Sequence, residues 1–389
     1  MVRLFASEIS TILLWVFKLG LSHYDDWVEV IRRGIGYAYA LLSLAFCPNL
    51  QSLIMGRMFI RTTPLLGSVF AHVADGGPRG DSGETERTTP FFFPRLRNVH
   101  IGEKPGCMLA AHPERDSRFS DLIGIFFLPS LEHLTITLPA ADDFDWTALT
   151  SRPQLRALTT LMLPHCEAKS KMLKNLLTAQ PPLKELLYHY AVIHKPDHEP
   201  IYFDLTDLSS ALRQVSTTLE RLSVSTESYN DDLFSRQDDC PFTGTLESFA
   251  GFSALSELRI PLIFFKGVGS ETNVHDLARN VGTSLSPSMR HLELSDEDLG
   301  AVCSDCEPDG WPELVRTVLA SRNEASGGKG QLEKLVCVGD GATDEDMREV
   351  EDVCAAFGVE GSLRVDHWRE IGGYRTTGFG GAKINAISY

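Results

Sequence analysis

The stretch Leu128-Pro-Ser-Leu-Glu-His-Leu-Thr-Ile-Thr-Leu-Pro139 contains the pattern on which the rest of the chain is built. From His133 onward, polar and apolar side chains alternate, and a period of two is the period of a β-strand. Leu134 and Ile136 therefore point to one side of the strand, and Thr135 points to the other. The stretch predicts a short strand that is buried on one face only.

The motif L-x-x-L-x-L within this stretch recurs along the chain, and it is the strand signature of a leucine-rich repeat. One such strand cannot bury its apolar face alone, but a stack of strands can. We therefore predict an α/β fold, an irregular leucine-rich-repeat solenoid with a curved parallel sheet inside and helices outside. The copies begin at Leu50, Leu96, Leu131, Leu158, Leu183, Leu219, Leu255, Met289 and Leu332.

The repeats predict the division of the 389 residues into segments. Residues 1–46 are predicted to be a helical N-terminal cap, and residues 47–370 the solenoid. Residues 74–90 contain no large apolar side chain and predict a flexible insertion. Residues 371–389 are rich in glycine and predict a flexible C-terminal tail.

Most of the intervals between repeats exceed the 20–29 residues of a short regular repeat, which leaves room for a helix in each. A helix is predicted from Leu205 to Val215, because its apolar residues recur at helical spacing. A second predicted helix follows Thr343, a typical N-cap residue, and closes at Gly358.

The apolar run Ile12-Leu-Leu-Trp-Val-Phe17 is shorter than the roughly 20 residues that cross a bilayer. A signal peptide would be followed by a cleavage site of small residues, and no such site follows this run. We predict a buried helix in which Leu13, Leu14, Phe17 and Leu21 share one face, with a signal peptide or anchor as the alternative.

The formal net charge of −16 argues against a general binder of nucleic acid or of anionic membranes, because such binders carry basic surfaces. The eight cysteines have no regular spacing, and Cys166, Cys337 and Cys354 fall at apolar positions of predicted elements. Free buried thiols explain this pattern better than a disulfide framework does. We therefore expect a cytoplasmic or nuclear protein.

Three features of the sequence indicate a resemblance to a particular family of repeat proteins. Leu158-Thr-Thr-Leu-Met-Leu-Pro-His-Cys166 matches L-x-x-L-x-L-x-x-C in full. Prolines open strands in phrases such as Pro129-Ser-Leu131, and a predicted helix runs into Thr218-Leu-Glu-Arg-Leu222. With their uneven repeats, residues 40–370 resemble fungal F-box and leucine-rich-repeat proteins. The resemblance implies the substrate-recognition part of an adaptor for ubiquitin ligation.

An F-box in that family is an N-terminal helical module that opens with Leu-Pro-x-Glu-Ile or Leu-Pro-x-Glu-Leu. This chain has Leu4-Phe-Ala-Ser-Glu8-Ile9, which lacks the proline and is one residue too long. The expected F-box is therefore lost, degenerate within residues 1–40, or encoded upstream of Met1. A Skp-type adaptor is an expected partner only where an F-box is present.

The candidate binding surface is the concave face, where alternate strand residues project away from the core and where solenoids usually bind partners. The alternative is that these are ordinary exposed positions. Leu187 and Val336 are assigned to the same face by strand phase. The candidate partner-binding residues are His133, Thr135, Thr137, Thr160, Met162, Glu185, Arg221, Ser223, Glu257, Arg259, His291, Glu293 and Lys334.

Two groups of residues are of the types that bind metal ions, and each has an alternative interpretation. Cys303-Ser-Asp-Cys306 lacks a second ligand pair at the spacing of a zinc site, and an acidic loop explains it as well. His189, His194 and His198 suggest either a metal site or an exposed loop after a strand. The sequence contains no P-loop, G-x-S-x-G, G-x-G-x-x-G or H-E-x-x-H motif.

We therefore expect a non-catalytic protein-binding module without a cofactor or a bound metal. Its predicted partners are proteins, and neither nucleic acid nor a membrane is expected. The alternative is a free-standing interaction scaffold unrelated to ubiquitin. An enzyme would need a convergent polar pocket, which the sequence does not indicate.

Overall fold

The computed structural model describes residues 5–18, 21, 23–56, 65, 67, 69–70, 93–102, 122–138, 155–166, 168–192, 203–228, 242–265, 273–295, 310–327, 332–339 and 342–365. These residues form eight α-helices and a series of parallel strands, so the predicted α/β class with a parallel sheet is confirmed. The chain divides into two compact units. Unit 1 comprises Met1–Lys104, Leu109–Met162 and Asn175–Leu183, and unit 2 comprises Pro105–Met108, Leu163–Lys174 and Lys184–Tyr389.

Unit 1 begins with three helices, α1 (Ala6–Lys18), α2 (Tyr24–Arg32) and α3 (Gly36–Ala45). The predicted helical character of the N-terminal segment is confirmed, but the predicted buried face is wrong. Leu13 and Leu21 are buried, whereas Leu14 and Phe17 are 52% and 69% exposed. The side chains of Val16, Trp27, Ile31, Ala38 and Leu41 form the buried interior of these helices instead.

Four parallel strands follow, of which the last begins in unit 1 and ends in unit 2, and each pairs with the next in chain order. They are β1 (Ser52–Met55), β2 (Asn98–Ile101), β3 (His133–Ile136) and β4 (Thr160–Cys166). Leu134 of β3 lies in register with Val99 of β2 and Leu161 of β4, and all three are buried. The predicted phase of the organising stretch is therefore confirmed.

Unit 2 contains six parallel strands that pair in the order β5 (Glu185–Val192), β7 (Arg221–Ser228), β9 (Glu257–Pro261), β10 (His291–Ser295), β11 (Lys334–Gly339) and β12 (Glu360–Val365). Two shorter strands, β6 (Phe203–Asp204) and β8 (Phe242–Thr243), pair separately. One row of apolar residues crosses five of the six strands in register and is buried throughout. Its members are Leu186, Leu222, Leu258, Leu292 and Leu335.

The backbone repeats the same hydrogen bonds from one strand to the next. In unit 1 the carbonyl of Gln51 accepts from the amides of Arg97 and Asn98 at 2.9 and 3.0 Å. In unit 2 the carbonyl of Lys184 accepts in the same way from Glu220 and Arg221 at 2.8 and 2.9 Å. Because one acceptor fixes two successive donors, each strand begins at the same level as its neighbour.

The other helices are α4 (Ser170–Leu177), α5 (Leu205–Arg213), α6 (Val274–Ser284), α7 (Trp311–Ser326) and α8 (Asp344–Ala356). Short 3-10 helices span Ile123–Phe127 and Leu262–Phe265. The helix predicted from Leu205 is confirmed as α5, whose N-cap Asp204 accepts from the amides of Thr206 and Asp207.

The helix predicted after Thr343 is also confirmed, as α8. The Thr343 hydroxyl accepts from the amide of Asp346, and the Asp346 carboxylate accepts from the amide of Thr343, which makes a capping box. The Thr343 hydroxyl also donates to the Asp346 carboxylate at 2.6 Å, and this hydrogen bond, together with the one from the Thr343 amide, lowers the pKa of the Asp346 carboxyl. Gly358, with φ of 73°, follows the helix as predicted.

Strand β12 was not predicted, because glycine stands where the repeat pattern requires a leucine. Gly361 lies in register with Leu335, and an added Cβ would lie 2.3 Å from Sγ of Cys354 in α8. The thiol of Cys354 therefore occupies the space that a leucine side chain fills in the other repeats. The predicted insertion, residues 74–90, and the predicted tail, residues 371–389, lie outside the described residues.

Candidate functional site

The thirteen predicted partner-binding residues lie on the strands or directly after one, and none of their side chains is buried. They occupy the strand positions that alternate with the buried leucines. Val336, assigned to the same face by its phase, is only 5% exposed, so its assignment to an accessible surface is wrong. Leu187 is half-buried.

In unit 1, these positions form a face that we call the unit 1 face. One row runs across the strands from Ser52 through Asn98 and His133 to Thr160, and the Asn98 amide donates to the Ser52 hydroxyl at 3.1 Å. The next row is Ile54, His100, Thr135 and Met162. Ile54 is 61% exposed. Neither row contains a carboxylate, a lysine or an arginine.

Thr137 extends the unit 1 face beyond the end of β3. Its amide donates to the carbonyl of Ile101 at 3.2 Å. A Cβ added to Gly102, whose φ is 151°, would lie 3.1 Å from Oγ1 of Thr137. The glycine therefore permits both the backbone conformation and the close approach of the threonine hydroxyl.

Four residues of the unit 1 face were absent from the sequence-based set. They are Ser52, Ile54, Asn98 and His100, which belong to the first two repeats. The same period of two that identified Thr135 was present in Cys47–Met55 and Phe93–Ile101, so the signal existed in the sequence.

In unit 2, the corresponding positions form a charged face, which we call the unit 2 face. Its first row alternates in sign from Glu185 through Arg221 to Glu257 and then continues with His291, Lys334 and Glu360. Its second row contains Ser223, Arg259 and Glu293. Opposite charges on neighbouring strands attract each other across the sheet.

Most of the charged groups on the unit 2 face are already engaged with one another. The Arg221 guanidinium donates to the Glu185 carboxylate at 2.8 Å, and this hydrogen bond raises the pKa of Arg221. Arg259 lies 3.6 Å from Glu293. Lys334 donates to Glu360, whose pKa is lowered by that bond.

His291 lies between two carboxylates. Its Nδ1 is 3.7 Å from Oε1 of Glu257, and its Nε2 is 3.6 Å from Oε2 of Glu333. Each contact is an ion pair only when the imidazole is protonated, and exposed ion pairs contribute about 0–1 kcal/mol each.

The predicted histidine cluster is only partly described. His189 is buried on β5 at 1% exposure, so the interpretation as an exposed loop residue is wrong for this position. Its ring lies 4.7 Å, centroid to centroid, from the ring of His165. Burial, with the charge of His165 as the second cause, lowers the pKa of His189 from 6.5 to about 3. His194 and His198 lie outside the described residues.

The buried His189 predicts a stability that falls with acid. Since its folded pKa is below its unfolded pKa, the unfolded chain binds the extra proton between pH 6.5 and about pH 3. Full stability is therefore present above pH 6.5 and is lost as the pH falls through this window. At pH 5 the expected loss is about 2 kcal/mol relative to pH 7.5.

The measurement is urea unfolding of the wild type and of His189→Gln at pH 7.5 and pH 5. The variant lacks the titrating group, so its free energy of unfolding should fall by about 2 kcal/mol less than that of the wild type. An equal fall in both proteins would show that His189 does not titrate as described.

Two observations on the described residues concern metal binding and thiol reactivity. Among these residues, no group of three or more His, Cys, Asp or Glu residues could hold a metal ion. The free cysteines described are Cys47, Cys166, Cys337 and Cys354, and the predicted burial of the last three is confirmed. Burial raises the pKa of the Cys354 thiol to about 11, which disfavours the reactive thiolate. Cys303 and Cys306 lie outside the described residues.

A second feature of unit 1 is an exposed apolar patch on the N-terminal helices, which we call the helical patch. It consists of Leu14, Trp15 and Phe17 of α1, Tyr24 of α2, and Phe46 after α3, at exposures of 38–69%. The rings of Trp15 and Phe46 are 5.6 Å apart, and those of Phe17 and Tyr24 are 6.1 Å apart. Trp15 and Phe17 are two positions apart on α1 and do not face each other, so the helical patch consists of two exposed ring pairs. Exposed apolar surface is a mark of interaction sites. The sequence prediction missed it because it placed this run inside the protein.

Among the described residues, the helices are too short or too polar to cross a membrane. The chain matches no protein-family model, and no curated protein matches its sequence.

Proposed function

We propose that this protein is a leucine-rich-repeat solenoid that acts as a non-catalytic protein-binding module. The observation that carries the proposal is the pairing of consecutive repeats in one register, with leucines buried on one side and accessible side chains on the other. Within each unit, such an arrangement presents a strand face of accessible side chains. Broad surfaces built from repeats typically bind proteins.

We further propose that the module belongs to an adaptor that presents proteins for ubiquitin ligation in the cytoplasm or nucleus. The resemblance of the repeats to fungal F-box and leucine-rich-repeat proteins supports this proposal. A second support is the N-terminal set of three helices with its helical patch, since an F-box is an N-terminal helical module. The motif Leu-Pro-x-Glu-Ile is absent, so the proposed F-box is degenerate.

A pull-down of the purified full-length chain with a purified Skp-type adaptor tests this proposal. Binding is expected for the wild type, and Trp15→Asp or Phe17→Asp should weaken it by about tenfold or more, since buried aromatic anchors carry much of the energy of an interface. Thr217→Asp is the control, because Thr217 is an exposed threonine outside the N-terminal helices and the strand faces. The control variant should bind like the wild type.

The alternative is a free-standing interaction scaffold unrelated to ubiquitin. It predicts no binding of the Skp-type adaptor by the wild type, while the repeat surface still binds a protein. Both alternatives place the same side chains on the accessible strand faces, so only the pull-down separates them.

A further inference from the structure

Strand β12 is an edge strand, because among the described residues it pairs with β11 alone. The amide of Glu360 donates to the carbonyl of Glu333 at 2.9 Å, so the backbone groups of every second residue from Glu360 onward face β11. The backbone groups of the intervening residues, Gly361, Leu363 and Val365, face outward. Such a row of outward amides and carbonyls can accept one further strand.

The side chains of β12 carry opposite charges at two positions of this edge. Glu360 and Arg364 are both exposed, and their separation of four residues places them on the same side of the strand. Glu360 is engaged by Lys334 of β11, whereas Arg364 takes part in none of the ion pairs formed among the described residues. The two charges lie at equal distances along the chain from Ser362.

This arrangement of charges is complementary to a second copy of itself. A copy related by a two-fold axis adds to β12 as an antiparallel strand, and the outward backbone groups of both copies then face each other. With the axis at Ser362, Glu360 of each copy faces Arg364 of the other. Moving the axis to Gly361 leaves Glu360 facing serine, and moving it to Leu363 leaves Arg364 facing serine. The axis at Ser362 therefore places opposite charges in direct opposition, where they attract most strongly.

We infer that the protein forms a two-fold symmetric dimer in which β12 of one copy pairs antiparallel with β12 of a second copy. This inference goes beyond the proposed protein-binding function and does not depend on it. The net charge of −16 on each copy opposes association. Near physiological ionic strength the Debye length is about 8 Å, so long-range repulsion is screened more strongly than the attraction between directly opposed groups.

Mild oxidation of the full-length Ser362→Cys variant tests the dimer and its axis. The inferred register places position 362 opposite itself, with Cα atoms about 4.5 Å apart, a distance that a disulfide spans. Peptide mapping should find a link between position 362 of both copies in most molecules. Thr217→Cys is the control, since Thr217 is exposed and lies outside β12, and it should show only the background linking of the exposed Cys47. Equal linking at positions 362 and 217 would overturn the inference.

Sedimentation velocity over a series of protein concentrations provides an independent test by charge reversal. Arg364→Glu creates two pairs of opposed carboxylates in each dimer and should weaken dimerisation by about tenfold or more. Combining it with Glu360→Arg restores opposite charges and should return the affinity to within about threefold of the wild type.

Arg156→Glu is the control for this second test. It makes the same change of charge at an exposed position of unit 1, and the affinity should stay within about twofold of the wild type. A wild type that stays monomeric at every concentration would overturn the inference. A double variant that dimerises no better than Arg364→Glu alone would overturn the inferred register.

Discussion

Leu134→Asp is expected to unfold unit 1, whereas Thr135→Asp should leave it folded. Leu134 has no exposed surface and lies between Val99 and Leu161 of the neighbouring strands. Removing a buried leucine side chain costs about 2–5 kcal/mol, and burying a carboxylate there adds several more. The sum is comparable to the entire stability of a typical domain.

Thr135 is the next residue, but its side chain lies on the unit 1 face. An aspartate there can remain hydrated, and the expected change is within about 1 kcal/mol. Urea unfolding followed by circular dichroism compares the two variants with the wild type. Equal destabilisation by both substitutions would mean that the assigned strand phase is wrong, and the unit 1 face would be wrong with it.

Arg322→Met is expected to destabilise unit 2 by about 2–4 kcal/mol. Arg322 of α7 is 3% exposed, and its guanidinium donates to the carbonyls of Leu285 and Ser286 at 2.9 and 2.5 Å. Leu285 is the C-cap of α6, so the cation completes the hydrogen bonding at the end of that helix and complements its dipole.

Two effects oppose each other in this substitution. Burial lowers the pKa of Arg322, which indicates a desolvation penalty that methionine removes. The loss of two charge-assisted hydrogen bonds, which leaves two buried carbonyls without their donor, is the larger effect. Helices α6 and α7 also lie too close for rearrangement, since a Cβ added to Gly282 would lie 2.5 Å from the carbonyl oxygen of Val318.

Arg316→Met supplies the matched control for this prediction. Arg316 lies on the same helix, and its side chain is 56% exposed where it pairs with Glu313. The same substitution there should change the free energy of unfolding by no more than about 0.5 kcal/mol. If Arg322→Met unfolds at the same urea concentration as Arg316→Met, the buried guanidinium does not cap α6 in the manner described.

The parts of the fold that follow from local periodicity were predictable from the sequence. The repeat motif predicted that Leu134 and Leu258 would be buried and that Thr135 would not, because a strand has only two faces. The cap at Thr343 was predictable because the residues that satisfy a helix N-terminus are few and lie within one turn.

The parts that depend on tertiary contacts were not predictable. Gly361 concealed β12, because the missing side-chain volume is supplied by Cys354 from a helix. The burial of Val336 and of His189 depends on what covers a strand face, and strand periodicity carries no information about that. Leu14 and Phe17 were placed inside because the run is apolar on every side, and the structure buries Val16 in their place, beside the correctly predicted Leu13.

The candidate site also has features that follow from local periodicity and features that depend on tertiary contacts. Sequence periodicity identified which residues face away from the leucines. The alternation of charge along Glu185, Arg221 and Glu257 required the register between strands that are separated by segments of unequal length. The neutral character of the unit 1 face likewise became apparent only when Ile54 and Met162 were placed in one row.

The register of the repeats is the central claim, and cysteine cross-linking tests it most directly. Residues His133 and Thr160 face each other on β3 and β4 in register, where neighbouring Cα atoms lie about 4.8 Å apart, within the range that a disulfide spans. His133 and Met162 are two residues out of register, at about 8 Å, beyond that range. Mild oxidation of His133→Cys/Thr160→Cys, read by peptide mapping, should give the new disulfide in most molecules, and His133→Cys/Met162→Cys should give little. Equal cross-linking in both double variants, or cross-linking only in the second, would contradict the parallel register on which the fold and the recognition surface depend.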